Sequence, residues 1–161
     1  QDGEQIVLMP IGNGGAASIG QILTRVASTA QTRASPSRLL AFKLGGTATL
    51  VKAEPQVVPE PPLPRPANKA QIHAGAILWE GKGCVYCHGH EAGSANGNVK
   101  DLRFSSAETH GLFAGIVIGG LRKEQGMPVF QDITIEEVNA LHAYVLDRAW
   151  AGYLDAGKSK P

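Results

Sequence analysis

Apolar and polar positions follow three different patterns along the chain, and each predicts a different kind of structure. Two short apolar runs, "EQIVLMPI" (Glu4–Ile11) and "SRLLAFKLG" (Ser37–Gly45), are bounded by turn residues and predict β-strands. The stretch between them is loop-like, with a short helix expected around Ser18–Val26. From residue 70 onward the apolar period becomes helical. "AQIHAGAILWEGKG" (Ala70–Gly83) sets Ile72, Ala76 and Trp79 on one face and ends in glycines. "SSAETHGLFAGIVIGG" predicts a short buried helix carrying Leu112 and Ile116, with Ser105 and Glu108 spaced as a capping box. "TIEEVNALHAYVLDRAWAGYL" has the strongest period. Thr134 and Glu137 form a second capping box there, and Val138, Leu141, Val145 and Ala149 recur at helical spacing, as do Leu146 and Trp150. Gly89–Ser105 shows no period and predicts a long surface loop, which in so small a domain needs something to wrap around.

The third pattern is "VKAEPQVVPEPPLPRPANK", residues 51–69, with six of the ten prolines. Proline favours the polyproline II conformation, so this predicts a semi-rigid spacer; about 19 residues at ~3.1 Å each would span on the order of 60 Å. The chain thus divides into residues 1–50, a strand pair from an incomplete β-structure; residues 51–69, a linker; and residues 70–161, a small all-α domain. Two strands do not make an independent domain.

Composition narrows the functional classes. A formal net charge of +1 without a polybasic block gives no sign of nucleic-acid or membrane-surface binding. No apolar run approaches the roughly 18 residues of a membrane span. The start at Gln1, without a basic region followed by an apolar core, is no signal peptide and leads us to expect a processed or excised piece of something longer.

Both cysteines lie in "KGCVYCHGH": Cys84, Cys87, and then His88. A disulfide across two residues would close too short a loop to constrain the unfolded chain much, so the spacing suits chemistry better than stapling. C-x-x-C-H is the attachment pattern of c-type haem. Two thiols at i and i+3 lie about one helical turn apart and can add to the two vinyl groups on one porphyrin edge, which puts the next imidazole under the iron. Gly81 and Gly83 allow a close approach. Iron in electron-transfer haems takes Met or His on its other face. Met127 in "QGMPVF" is the one methionine after the motif, between Gly126 and Pro128, and is expected as the second axial ligand with His88. Zinc would need a fourth-ligand pattern that is missing, and a thioredoxin-like pair would need β-α-β surroundings. Arg103 reads either as an ordinary surface charge or as a partner of a haem propionate. His73, His110 and His142 read as surface or packing residues, His90 and Tyr86 as neighbours of the haem edge, and Trp79 and Trp150 as core.

"GCVYCHG", "DLRFSS", "GMPVF" and "TIEEVNALHAYVLDRA" together resemble the cytochrome c domain at the C-terminus of pyrroloquinoline-quinone (PQQ)-dependent quinohaemoprotein alcohol dehydrogenases. "DGEQIVLMPIGNGGA" and "SRLLAFKLGG" look like the last strands of that family's propeller. The resemblance implies a mainly α, class I cytochrome c-like domain over 70–161, behind a linker and propeller strands over 1–50. It implies haem c at Cys84 and Cys87, iron ligation by His88 and Met127, and no catalytic residue in this chain. It also implies a PQQ propeller domain as electron donor, a periplasmic carrier protein or membrane quinone system as acceptor, and a periplasmic location. PQQ and calcium would belong only to propeller parts that have no counterpart here. The family often has proline where Lys100 stands, which leaves open which carbonyl near it would hold the His88 Nδ1. Two readings follow: an electron-transfer module, or one piece of a complete dehydrogenase whose propeller is a separate chain.

Overall fold

The computed structural model describes residues 5–11, 38–50, 57–93 and 99–158. The helix expected around Ser18–Val26 lies outside them, as do residues 51–56 of the linker. Strands β1 (Ile6–Ile11) and β2 (Arg38–Lys43) pair antiparallel, with Ile6 opposite Lys43 and Ile11 opposite Arg38. Successive residues of a strand point to opposite faces. Neighbours Val7 and Leu8 are both exposed, as are Leu39 and Phe42, so among the described residues both faces of the sheet lie open.

Five helices follow among the described residues. Helix α1 (Lys69–Gly81) starts where the Asn68 side chain accepts a hydrogen bond from the Gln71 N–H. Helix α2 (Cys84–His88) holds the cysteine motif. A 3₁₀ turn at Leu102–Phe104 precedes α3 (Ala107–Gly111) and α4 (Phe113–Val117), and another at Lys123–Gln125 precedes α5 (Ile135–Lys158). The single helix expected over 105–120 is thus two short ones that meet at Leu112. That residue is exposed rather than buried, and Val117 takes the core position. The cap is Ser106, not Ser105: its hydroxyl accepts from the Thr109 N–H at 3.2 Å. The Thr134–Glu137 box forms as expected. The Thr134 N–H donates to Glu137 Oε2 at 2.8 Å and the Glu137 N–H to Thr134 Oγ1 at 3.2 Å.

The core lies where α1 crosses α5, built on Trp79, Val138, Leu141, Tyr144 and Val145. Gly75 makes this crossing possible. A Cβ placed on it would fall 2.0 Å from the Ala140 carbonyl oxygen and 2.9 Å from Tyr144 Cβ, so the helix backbones touch.

The end of the linker does not stand free as a spacer. Pro61 is buried. The Trp150 indole N–H donates to the Leu63 carbonyl at 2.9 Å, and Arg65 pairs with Asp147 on α5. The stretch around 61–65 is therefore laid along the helical unit, and the free span is shorter than a fully extended linker would give.

Candidate functional site

Gly83 sets up the site. Its φ of +77° is left-handed, which glycine adopts without strain, and it turns the chain from α1 straight into α2. Residues at i and i+3 of a helix share a face, so Cys84 and Cys87 present their sulfurs on one side. Both thiols are free; Cys84 is half-buried and Cys87 exposed. Burial pushes the Cys84 thiol up to about 11. Among the described residues, no three His, Cys, Asp or Glu side chains gather as a metal ion would need, which gives the zinc alternative no support.

His88 closes the helix. Burial lowers its pKa below the ordinary histidine value, which holds the ring in the neutral, ligating form. The ring leans on Trp79, with centroids 5.8 Å apart and planes tilted 47°. Among the described residues its buried Nδ1 has no hydrogen-bond partner, so no described carbonyl near Lys100 fills the role left open from the sequence. Leaving such a group unpaired costs about 1–3 kcal/mol. Two free thiols on one helix face, with a neutral imidazole directly after them, fit a site made for a covalently held group. The donor set of two thiols, an imidazole and a thioether is that of a covalently held, Met/His-ligated haem.

Each of residues 89–92, directly after His88, is held. The Trp79 indole N–H donates to the Gly89 carbonyl at 2.8 Å. The Tyr144 hydroxyl donates to the His90 carbonyl; burial raises that phenol to about 12, so it remains a donor. Arg148 Nη1 donates to Glu91 Oε2 at 2.9 Å, and the Leu102 N–H to the Ala92 carbonyl at 3.0 Å.

Met127 is half-buried and packs against the same apolar cluster as Cys84, the cluster to which Trp79 belongs. Gly126, with φ +87°, turns the chain into it, and the Met127 N–H donates to the Arg122 carbonyl at 3.1 Å. The Phe130 N–H ties the loop to the Val117 carbonyl at 3.1 Å, and Lys82 reaches Asp132 at 2.6 Å from the segment that enters α2.

Arg103 is not the ordinary surface charge of one reading. It is buried, and its Nε and Nη2 fork onto Asp101 at 2.9 and 2.6 Å, with the guanidinium against Gly93. Tyr86 projects into solvent with its ring over Gly83, and His73 is exposed. The His90 Nδ1 lies 3.7 Å from Glu80 Oε1. Trp79 is core, as expected, and also forms the wall beside His88. Sequence reasoning missed three features: the Gly75 crossing, the Arg65–Asp147 attachment, and the pairing of buried His110 with His142. Their partners lie 65, 82 and 32 residues apart and leave no local signal, although a small residue on the apolar face of α1 did mark where a close crossing was possible.

A helical unit whose first and last long helices cross at a glycine, with the C-x-x-C-H turn between them, is a class I cytochrome c-like domain. No family model matches the chain. It is 41% identical over 152 residues to quinohemoprotein alcohol dehydrogenase ADH-IIG of Pseudomonas putida, covering 92% of this chain and 20% of that one. It is 34% identical over 152 residues to lupanine 17-hydroxylase (cytochrome c) of a Pseudomonas species, covering 94% and 21%. The solved structure of ADHIIG from Pseudomonas putida HK5 matches with a TM-score of 0.64 at 35% identity, over 99% of this chain and 23% of that one. Over the stretch it spans, the chain belongs with the quinohaemoprotein alcohol dehydrogenases and corresponds to their C-terminal part. It spans about a fifth of the length of these relatives.

Proposed function

We propose that this chain is an electron-transfer module built around one covalently attached c-type haem. The observation that carries this reading is the α2 turn: two free thiols on one helix face, followed by an imidazole that burial keeps neutral. A haem bound there supplies an iron that takes up and releases one electron. Cys84 and Cys87 hold it through thioethers. His88 would ligate the iron through its imidazole and Met127 through its thioether sulfur. Arg103, with Nε and Nη2 engaged by Asp101, would be the cation to pair with a propionate. The electron donor is a PQQ-bearing propeller domain, a reading that the relatives' name quinohemoprotein supports, and the acceptor a periplasmic carrier protein or a membrane quinone system, in the periplasm. No residue of this chain acts on an alcohol.

Denaturing mass spectrometry should find the polypeptide plus one haem, and acid-acetone should fail to extract it. Haem released by that treatment would sink the proposal. Met127→Ala should remove the weak near-infrared sulfur-to-iron band and lower the potential, because sulfur stabilises ferrous iron. A variant that keeps the wild-type potential would refute the Met127 assignment.

A second reading, in which the chain is one piece of a complete quinohaemoprotein dehydrogenase with its propeller on a separate chain, is favoured by the strand pair. Both of its faces present apolar side chains that a larger β-structure would cover. A denaturing gel of material purified without tags would show the second, larger polypeptide.

A further inference from the structure

Two aromatic side chains reach from the helix crossing to the segment that carries His88. At the crossing itself, Gly75 of α1 lies against Ala140 of α5. One helical turn further along each helix stand Trp79 and Tyr144, packed ring to ring at 5.4 Å with planes tilted 50°. Their polar ends go to consecutive carbonyls. The Trp79 indole N–H donates to Gly89 at 2.8 Å, and the Tyr144 hydroxyl donates to His90. Both side chains are buried, so these two donors belong to the inside of the unit.

Trp79 acts on His88 twice. Its N–H holds the carbonyl one residue beyond the histidine, and so the backbone from which the imidazole extends. Its ring also lies against the imidazole, with centroids 5.8 Å apart and planes tilted 47°. The second contact matters because the outer torsion of a histidine side chain has no sharp staggered wells. A fixed backbone does not by itself choose the plane of the ring; a wall beside it does. An aliphatic side chain at position 79 could fill the core, but it would leave the Gly89 carbonyl without its donor and the imidazole without an aromatic face.

We infer that Trp79 is the positioning residue for the His88 imidazole, with Tyr144 as its support, so that the crossing of α1 and α5 fixes the plane of the ligating ring. What that plane does rests on the haem reading above. When an imidazole ligates haem iron, the direction of its plane selects the iron π orbital that holds the unpaired electron of the oxidised state. Neighbours that orient a ligand tune the metal in this way without touching it. The two long helices supply neither His88 nor Met127, yet through this pair they bear on the electronic state of the site.

The test compares Trp79→Phe, Tyr144→Phe and Leu141→Ala in the haem-loaded chain by nuclear magnetic resonance. In the oxidised protein the shifts of the four haem methyl groups report the plane of the axial imidazole. Trp79→Phe keeps an aromatic ring but loses the N–H, and should change the order of those shifts. Tyr144→Phe loses only the hydroxyl, and should move them in the same sense by less. Leu141→Ala removes buried bulk from the same core but no donor, and should keep the wild-type pattern even though it unfolds earlier. In the reduced, diamagnetic protein the Gly89 carbonyl carbon should shift upfield in Trp79→Phe as its hydrogen bond is lost. A wild-type methyl pattern in Trp79→Phe, or the same change in Leu141→Ala, would overturn the inference and leave Trp79 as core alone. If Trp79→Phe does not fold, Tyr144→Phe decides, and a wild-type methyl pattern there overturns it. If the wild-type chain carries no haem, the haem reading falls; the hold of Trp79 on the His88 segment is then read from the Gly89 carbonyl carbon, and an unresponsive carbonyl would overturn that as well.

Discussion

The strand pair and the helical unit use the same apolar residues to opposite ends. In β1, Leu8 is 60% exposed, and in β2, Leu39 is 66% exposed; in α5, Leu141 is 1% exposed. Ile, Leu, Val and Met fill "IVLM" as densely as they fill the core. Their meaning depends on what is brought against them. The helical unit supplies its own cover because α1 and α5 cross at Gly75, with Trp79 and Tyr144 packed ring to ring at 5.4 Å. The sheet has two strands and, among the described residues, no layer on either face. Apolarity in a sequence therefore marks a demand for burial, and only topology tells whether the same unit meets it.

The sharpest way to break this contrast is to remove what lets the helical unit close on itself. Gly75→Val should be the most damaging single change in the chain. Its side chain would meet the Ala140 backbone, which cannot swing aside as a side-chain tip can. The loss should be about 3 kcal/mol or more, seen as a collapse of the urea midpoint followed by far-UV circular dichroism. If Gly75→Val unfolds near the wild-type midpoint, the crossing is not what holds the unit together.

A smaller effect compares the two regions directly. Leu141→Ala should cost about 2–5 kcal/mol, as deletion of a fully buried leucine does. Leu8→Ala in the isolated chain should change stability by no more than about 0.5 kcal/mol, because an exposed side chain has little burial to lose. With a propeller partner added, Leu8→Ala should become costly while Leu141→Ala stays as it was. Equal costs in the isolated chain would mean that the strands are covered by something, and the contrast would fail.

These expectations also show what the sequence could reveal. The strands could be read because apolar runs ended at turn residues, and the Thr134–Glu137 box because both of its hydrogen bonds join residues three apart. The C-x-x-C-H motif is equally local. The break at Leu112 was hidden because the apolar period continues through it. The cap at Ser106 could not be told from Ser105, since two adjacent serines offer the same hydroxyl. Arg103 and Asp101 are two residues apart and were within reach of local reasoning, but the burial of their fork depends on Gly93 and Gly152 packing around it. The docking of Arg65 on Asp147 and the pairing of His110 with His142 join distant residues by side-chain geometry, which no period encodes.

The smallest expected effect lies in that histidine pair, and it separates the two regions by pH. His110 Nδ1 and His142 Nε2 are 2.9 Å apart, and His142 also stacks on Phe113 at 4.6 Å. With both rings neutral, one nitrogen donates and the other accepts; with both protonated, two donors face each other. Burial lowers the pKa of His110, and burial together with the charge of His110 lowers that of His142 from 6.5 to about 4. The sign follows from proton counts. Below pH 6.5 the unfolded chain takes up a proton at His142 while the folded chain does not until that ring titrates near 4, and the lowered His110 acts in the same direction. The unfolded state therefore binds more protons in that window, and stability falls as pH drops through it. The helical unit should lose part of its urea resistance progressively from about pH 6.5 to about pH 4, and His142→Gln should flatten that slope, since its amide can still meet His110 but takes up no proton. The described strands contain no histidine, so exchange over Ile6–Ile11 and Arg38–Lys43, corrected for its intrinsic pH dependence, should not change across the same window. An equal slope in wild type and variant would mean that the pair carries none of the acid sensitivity. A matching change in the strands would mean that the two regions unfold as one, and the independence argued from their exposure would be lost.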